Sequence, residues 1–372
     1  MIPYGRHSIT EDDIISVVSA LKSEWLTTGP LVEEFESALE KEVGAPCVSV
    51  SSGTAALHCA YAAIELKPGD EVITPPITFI ATQATAALFG AKIVFADIQS
   101  DTANIDPKFG AAAITPRTKA IVAVDYAGHP ADLDELRMIA DKHGIYLIED
   151  ASHSIGSKYK GKPIGSIADI TTFSFFPTKN ITTGEGGAVA SIHQDLLDRA
   201  RKFSRQGLIR NHKDFKIVDQ GLWHQEVQKF GLNYRMPDIL CALGISQLKR
   251  LSSTIKRKNI VYNLYKKEFQ AYDSLKIPFK RDFVEVNWHL FPIQVNPNHR
   301  EQIFNGLRKQ GIMVQVNYFP VYRHPVFLDL GHYQGEFLQS EIFYSKEISL
   351  PMYSTITDEE VLQVASEVKK LI

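Results

Sequence analysis

The chain has 372 residues, 40 Lys and Arg against 43 Asp and Glu, and a formal net charge of -3. Both signs are interspersed along it, which excludes the one-signed basic stripe of a nucleic-acid binder, and no apolar run reaches the ~18 residues of a membrane-spanning helix. The length suffices for one large domain and a smaller one.

The opening Met-Ile-Pro-Tyr-Gly-Arg-His has no apolar stretch of the kind that makes a secretory signal. Cys47, Cys59 and Cys241 are too few and too scattered for a disulfide framework or a zinc site. These features predict a cytoplasmic protein without a metal centre. Cys59 and Cys241 lie in helix-like apolar patterns and read as buried small hydrophobes.

Apolar runs of strand length occur at residues 47–50, 71–74, 92–96, 120–125, 145–148, 170–175 and 188–192. Helical patterns at 54–66, 80–89 and 131–143 lie between them. The last is bracketed by His129-Pro130 and Gly144, a start and a stop signal. Strands alternating with helices predict an α/β domain with a largely parallel sheet. Open sheets of this class bind ligands at the carboxyl ends of their strands, and four stretches sit there.

Ser51-Ser52-Gly53-Thr54-Ala55-Ala56-Leu57 follows the first strand and opens a helix. Gly53 permits close backbone approach, the first helical N–H groups are free, and Thr54 adds a hydroxyl: a phosphate cup, or a plain N-cap. Phe79, in Pro75-Pro76-Ile77-Thr78-Phe79, is placed either in the core or where it stacks on a flat ligand. Asp150 ends the most apolar strand. It is either a helix cap or a carboxylate that holds a ring nitrogen protonated, with His153 three residues on as a partner for a ring hydroxyl. Finally, Phe173-Ser-Phe-Phe-Pro-Thr-Lys179 leads into a turn rich in glycine at Gly184, Gly186 and Gly187. Ser174 can donate to a phosphate. A lysine beside Phe-Phe-Pro loses water, and burial lowers its pKa. Lys179 therefore reads as an amine nucleophile of the Schiff-base type.

From Met236 the texture changes. Pro237 opens a helical stretch predicted to run to about Phe269, with the basic run Lys256-Arg257-Lys258 read as a solvated face. Strand-like segments at 290–295 and 312–316, and helices at 300–310 and 358–371, predict a smaller α+β lobe.

With these motifs in this order, the chain resembles the fold-type I, pyridoxal-phosphate-dependent sugar aminotransferases of the DegT/DnrJ/EryC1/StrS family. The resemblance covers nearly the whole chain. It rests on Leu26-Thr-Thr-Gly-Pro30 with Glu33-Glu-Phe-Glu36, Ser52 to Leu57, Thr78 to Thr82, Glu149-Asp-Ala151, Ser174 to Gly187, Asn233-Tyr-Arg-Met236, Ala242-Leu-Gly244 and Gln247-Leu248. It implies a large cofactor domain at 1–250 and a small C-terminal domain at 251–372. It also implies Lys179 as the cofactor-bearing lysine, freed in turnover as the general base, and Asp150 as the partner of the pyridine nitrogen. Gly53, Thr54 and Ser174 would hold the phosphate, with Asn233 reaching into a neighbouring subunit of a homodimer. Substrate contacts carried over fall at Tyr4, Glu24, Trp25, Leu26, Thr27, Gly53, Ser174, Asn233, Gln315, Val316, Asn317 and Tyr318.

Trp223-His-Gln-Glu226 and Gln315 to Tyr322 resemble the pseudaminic-acid branch, which implies a UDP-linked 4-keto sugar as substrate and glutamate as donor. Three departures stand out: His153 where most members have glutamine, Asn317 where the branch has histidine, and Arg205-Gln206-Gly207 in place of Arg-x-His-Gly. Alternatives are another nucleotide-linked keto sugar of the GDP-perosamine, UDP-D-sugar C4 or C3 kind. A dehydratase of the same fold would carry histidine in place of Lys179. A non-catalytic regulator would need a basic helix-turn-helix, and a nicotinamide enzyme a Gly-x-Gly-x-x-Gly after an early strand; neither motif occurs.

Overall fold

The computed structural model describes residues 1–217 and 220–372. Seven short strands make the central sheet: β1 (Cys47–Val50), β2 (Glu71–Thr74), β3 (Lys92–Phe95), β4 (Thr118–Val124), β5 (Tyr146–Asp150), β6 (Ile170–Ser174) and β7 (Gly187–Ala190). Their spatial order is β1-β7-β6-β5-β4-β2-β3, and only β7 runs against its neighbours. Each lies within a few residues of its predicted place.

The sheet is apolar on both faces, as a covered parallel sheet must be. Ile73, Ile121, Ala123, Leu147 and Ala188 pack into the core on one side. Their neighbours Val72, Ala120, Val122, Ile148 and Val189 pack into a second core on the other. This alternation decides where the end of β5 points. Asp150 falls on the face of Ile148, toward the helices Gly53–Ala63 and Ala81–Ala87; Glu149 falls on the opposite face.

The long helix predicted from Pro237 is two helices, Asp238–Lys249 and Leu251–Phe269, joined at Arg250. The break has a tertiary cause. Arg250 reaches back to the buried carboxylate of Asp13 at 2.5 Å and to the backbone of Ser8, and Gln247 donates to the same carboxylate at 2.9 Å. The first helix of the pair packs on the helices Glu11–Leu21 and Pro30–Val43, and the second on the C-terminal helix Asp358–Leu371. We accordingly propose 1–250 and 251–372 as the two units, with one exchange. Ile2 bonds through its backbone to Gly311 and Met313, and Tyr4 to Met352, so the N-terminus docks on the C-terminal lobe.

Two expectations need correction. Residues 312–316 form no strand of a sheet; they make isolated bridges, Ile2 with Ile312 and Gln315 with Ser349. The basic run is not uniformly solvated. Lys256 is exposed, but Lys258 is buried, and its ammonium donates to Asn180 Oδ1 at 2.5 Å. Lys258 lies on the buried stripe of its helix with Leu251, Val261, Tyr262, Tyr265 and Phe269. Burial brings its pKa down to about 7. All three cysteines are buried and free.

Close packing at the edge of the sheet sets the entrance to the helix at Gly53. A Cβ on Gly187 would stand 2.4 Å from Ser52 O and 2.7 Å from Phe173 O, both backbone atoms that cannot swing away. Gly187→Ala should therefore destabilise the fold by about 1–3 kcal/mol, measured as a lower midpoint of denaturant unfolding at unchanged slope.

Candidate active site

At the carboxyl ends of β5 and β6 lies a cavity of about 410 Å3. It gathers Tyr4, Gly53, Thr54, Phe79, Asp150, His153, Ser174, Lys179, Asn317 and Tyr318 from six separate regions of the chain.

The helix start forms one wall. Ser52 is its N-cap and accepts from Ala55 N at 3.0 Å, so the capping role falls to Ser52. The N–H groups of Gly53 and Thr54, which helix geometry leaves without an intrahelical acceptor, belong to the cavity wall. A Cβ on Gly53 would meet Ser174 Cβ at 2.7 Å and Oγ at 2.9 Å. Only glycine allows the helix start and the end of β6 to converge this closely.

Asp150 is buried and fixed from both sides. Thr82 Oγ1 donates to one carboxylate oxygen at 2.7 Å, and Ser152 Oγ to the other at 2.6 Å. Neither hydroxyl neutralises the charge, so a cationic partner is still wanted. Thr82 is steadied in turn by Tyr61 OH on its carbonyl at 2.8 Å.

Lys179 sits in the loop after β6, part-buried against the cavity. Loss of hydration lowers its pKa to about 8, and the carboxylate of Asp150 pulls partly the other way. His153 is held neutral by burial first and by Lys179 second. Its Nε2 meets Tyr318 OH at 3.2 Å, and its Nδ1 has no partner among the described residues. His289 packs against it with ring centroids 4.3 Å apart.

Asn317 is locked by three partners. Its Oδ1 accepts from Tyr4 OH at 2.8 Å, its carbonyl from Tyr126 OH at 2.5 Å, and its N–H donates to Glu347 at 2.7 Å. Glu347 is fully buried, and burial pushes its pKa up to about 8. Phe79 is 59% exposed at the cavity lip, 6.4 Å from the Tyr318 ring. It is thus not a core residue.

Glu24, Trp25, Leu26, Thr27, Asn233, Gln315 and Val316 do not line this cavity. Trp25 and Leu26 are about half exposed, at 51% and 50%, on the outer surface. Asn233 is exposed and accepts from Arg235 Nε at 3.1 Å. Gln315 pairs through its backbone with Ser349. Thr82, Ser152, His289 and Glu347 support the site and were not singled out from sequence. Thr82 had a signal: it lies four residues after Thr78, one helical turn on, and the two hydroxyls meet at 3.3 Å.

A profile of the DegT/DnrJ/EryC1/StrS aminotransferase family matches residues 7–369. The chain belongs to that family. It is 40% identical to the UDP-4-amino-4,6-dideoxy-N-acetyl-beta-L-altrosamine transaminase of Campylobacter jejuni, over 95% of this chain and 93% of the relative. Among solved structures it is similar to Helicobacter pylori PseC, an aminotransferase involved in the biosynthesis of pseudoaminic acid. That likeness has a TM-score of 0.93 and 31% identity, and covers 100% of this chain and 98% of the other. It is also similar to Streptococcus pneumoniae Spr1654, described as a sugar aminotransferase in its PMP form. There the TM-score is 0.94 and the identity 32%, over 100% and 99% of the two chains. The fold is that of the fold-type I enzymes, and the cofactor is pyridoxal phosphate. The protein is a pyridoxal-phosphate-dependent nucleotide-sugar aminotransferase. None of the helices is long and apolar enough to cross a membrane among the described residues.

The lowered pKa of Lys179 gives a direct test. Reductive methylation with 13C-formaldehyde of protein freed of cofactor should yield, apart from any signal of the buried Lys258 and of the α-amine, a methylamine carbon that titrates near pH 8, far below the ordinary lysines. NMR should show that resonance missing from Lys179→Ala.

Proposed function

We propose that the enzyme moves an amino group from glutamate to C4 of a UDP-linked 4-keto-6-deoxy-N-acetylhexosamine. The product would be UDP-4-amino-4,6-dideoxy-N-acetyl-beta-L-altrosamine, made in the cytoplasm for pseudaminic acid. The observation that carries the chemistry is that one cavity holds a lysine of lowered pKa, a fixed carboxylate and a free helix start. The sugar is supported by the likeness to the Campylobacter jejuni transaminase.

The residues fit pyridoxal phosphate. The N–H groups of Gly53 and Thr54 with Ser174 Oγ suit a phosphate, at a place a Cβ would fill. Asp150, charged and held by two hydroxyls, suits a protonated pyridine nitrogen. His153 Nδ1 is an orphaned buried atom beside the same cavity, available to a ring hydroxyl. Phe79 offers a flat face at the lip. Lys179 Nζ is the amine that would hold the aldehyde carbon. When bound, the cofactor supplies an electron sink for the carbanion formed on the amino donor.

The protein's own part is proton handling and positioning. Near neutrality roughly a tenth of Lys179 is neutral and able to act as a base, far more than of an ordinary lysine, because burial lowers the cost of losing its proton. Lys179 Nζ would take the proton from the donor Cα and later return one at the sugar C4, and Asp150 would hold the ring nitrogen of the bound cofactor protonated. Tyr4, Asn317 and Tyr318 form the wall nearest the sugar, with Asn317 bonded to Tyr4 and to Tyr318.

Asn233, exposed and outside its own cavity, is available to the cofactor phosphate of a second copy. This supports a homodimer with shared sites as the working unit, in which Glu24 to Thr27 would serve the same neighbour.

Turnover of the matched keto sugars with glutamate, with the product read by NMR, tests the substrate. The UDP-linked 4-keto-6-deoxy-N-acetylhexosamine should give the 4-amino sugar faster than GDP-linked or dTDP-linked keto sugars. Faster amination of a GDP-linked sugar would replace this substrate by the perosamine type. Asp150→Asn should keep the fold and lower kcat by about 10²- to 10⁴-fold.

A further inference from the structure

The basic run Lys256-Arg257-Lys258 does not act as one patch. Lys256 is exposed, and Arg257 pairs with Asp358 at 2.6 Å. Lys258 is 3% exposed, and among the described residues its ammonium meets no carboxylate. The side-chain oxygen of Asn180, at 2.5 Å, is its hydrogen-bond partner. Burying a cation without a counter-charge costs free energy, and an apolar residue of the same length would fill the buried stripe without that cost. Packing alone therefore does not account for a lysine at this position.

The geometry of Asn180 gives the ammonium a task. Asn180 is buried, and its side chain spends every polar group. Nδ2 donates to the carbonyl of His153 at 2.9 Å and to that of Asn287 at 3.1 Å. Those two acceptors fix which way the amide faces. They leave Oδ1 turned to Lys258, where only a donor can satisfy it. An amine keeps N–H groups with or without its extra proton, so the bond does not depend on the charge state of Lys258. Asn287 is tied down in its turn, Nδ2 donating to Ile155 O at 2.7 Å and its backbone N–H to Ser157 Oγ at 2.8 Å.

Each thread of this knot ends at the active-site cavity. Asn180 follows Lys179 directly. His153 lines the cavity, and Asn287 stands two residues before His289, which lines it against His153. One side chain of the helix Leu251–Phe269 thus reaches, through one amide, the backbone beside Lys179, the turn after β5 and the segment that leads to His289.

We propose that Lys258 is a positioning residue of the amino transfer: through Asn180 it holds the backbone of Lys179 and His153, so that Lys179 Nζ stays in reach of the carbon whose proton it moves. The inference rests on the role given to Lys179 above.

The test compares holoenzymes carrying Lys258→Met, Lys258→Arg, Asn180→Ala and the Lys258→Met/Asn180→Ala pair, with the exposed Lys256→Gln as control. Three quantities are read: the melting temperature, the visible circular dichroism of the bound cofactor, and the stopped-flow rate at which glutamate converts that cofactor. Lys258→Met should melt no lower than the native protein. Its conversion rate should nevertheless fall roughly 10- to 100-fold at unchanged KM, with a weakened dichroic band. Lys258→Arg, which keeps a donor, should recover part of both, and Lys256→Gln should match the native protein. In the Asn180→Ala background the methionine should cost nothing further, because the link is already cut. Native rate and dichroism in Lys258→Met would overturn the proposal, as would an equal further loss in the paired variant. If Lys258→Met does not fold, Asn180→Ala reads the same link from its other end, and native rate and dichroism there would overturn it as well. Should glutamate fail to convert the native holoenzyme, the donor assignment falls, while the dichroism, which needs no donor, still decides for or against Lys258.

Discussion

The site depends on two charges of opposite sign brought into one small cavity at the end of a parallel sheet. Burial strips water from Lys179 and favours the free amine, while Asp150 favours the ammonium. Desolvation wins, but only part-way, and the lysine is left near pH 8. An unopposed burial would drive the pKa lower still, and a tight ion pair would drive it up. A group poised between is suited both to covalent capture of a carbonyl and to moving protons near neutrality.

The fold sets this balance with short, local devices. Strand alternation sends Asp150 to the face that carries Thr82, and two hydroxyls hold the carboxylate without cancelling its charge. Glycine at 53 and 187 lets the helix start, β6 and β7 approach within backbone contact. On the far wall, Asn317 is tied to Tyr4 from the N-terminus, Tyr126 from the end of β4 and Glu347 from the strand Glu347–Leu350. Closing the cavity thus takes both ends of the chain. Lys258 extends the same frame. Its ammonium bonds Asn180, the residue after Lys179, and Asn180 in turn donates to the backbone of His153 and Asn287.

Much of this was legible in the sequence, because the sheet is built from apolar runs whose ends carry the chemistry. Asp150, Ser174 and Gly53 each stand where a strand ends or a helix begins, Lys179 follows in the loop after β6, and the structure brings all four together. The N-cap was also legible in type, though it falls on Ser52. Lys258 was misread because a run of three bases looks solvated. Its spacing of seven from Leu251 and four from Tyr262 places it on the inner stripe, and that period was the better guide. The break at Arg250 had no local signal, since its cause is Asp13, more than two hundred residues away. Asn233 and Glu24 to Thr27 were expected at the site only from the resemblance, and in one chain they lie outside the lining of the cavity.

The central claim is that the amine of Lys179 is the one that holds the cofactor. Reduction of the holoenzyme with borohydride, digestion, and mass spectrometry of the labelled peptide tests this most directly. The account predicts a single pyridoxyl-lysine at position 179. Label on any other lysine, or a Lys179→Ala protein that still fixes the cofactor covalently, would contradict it.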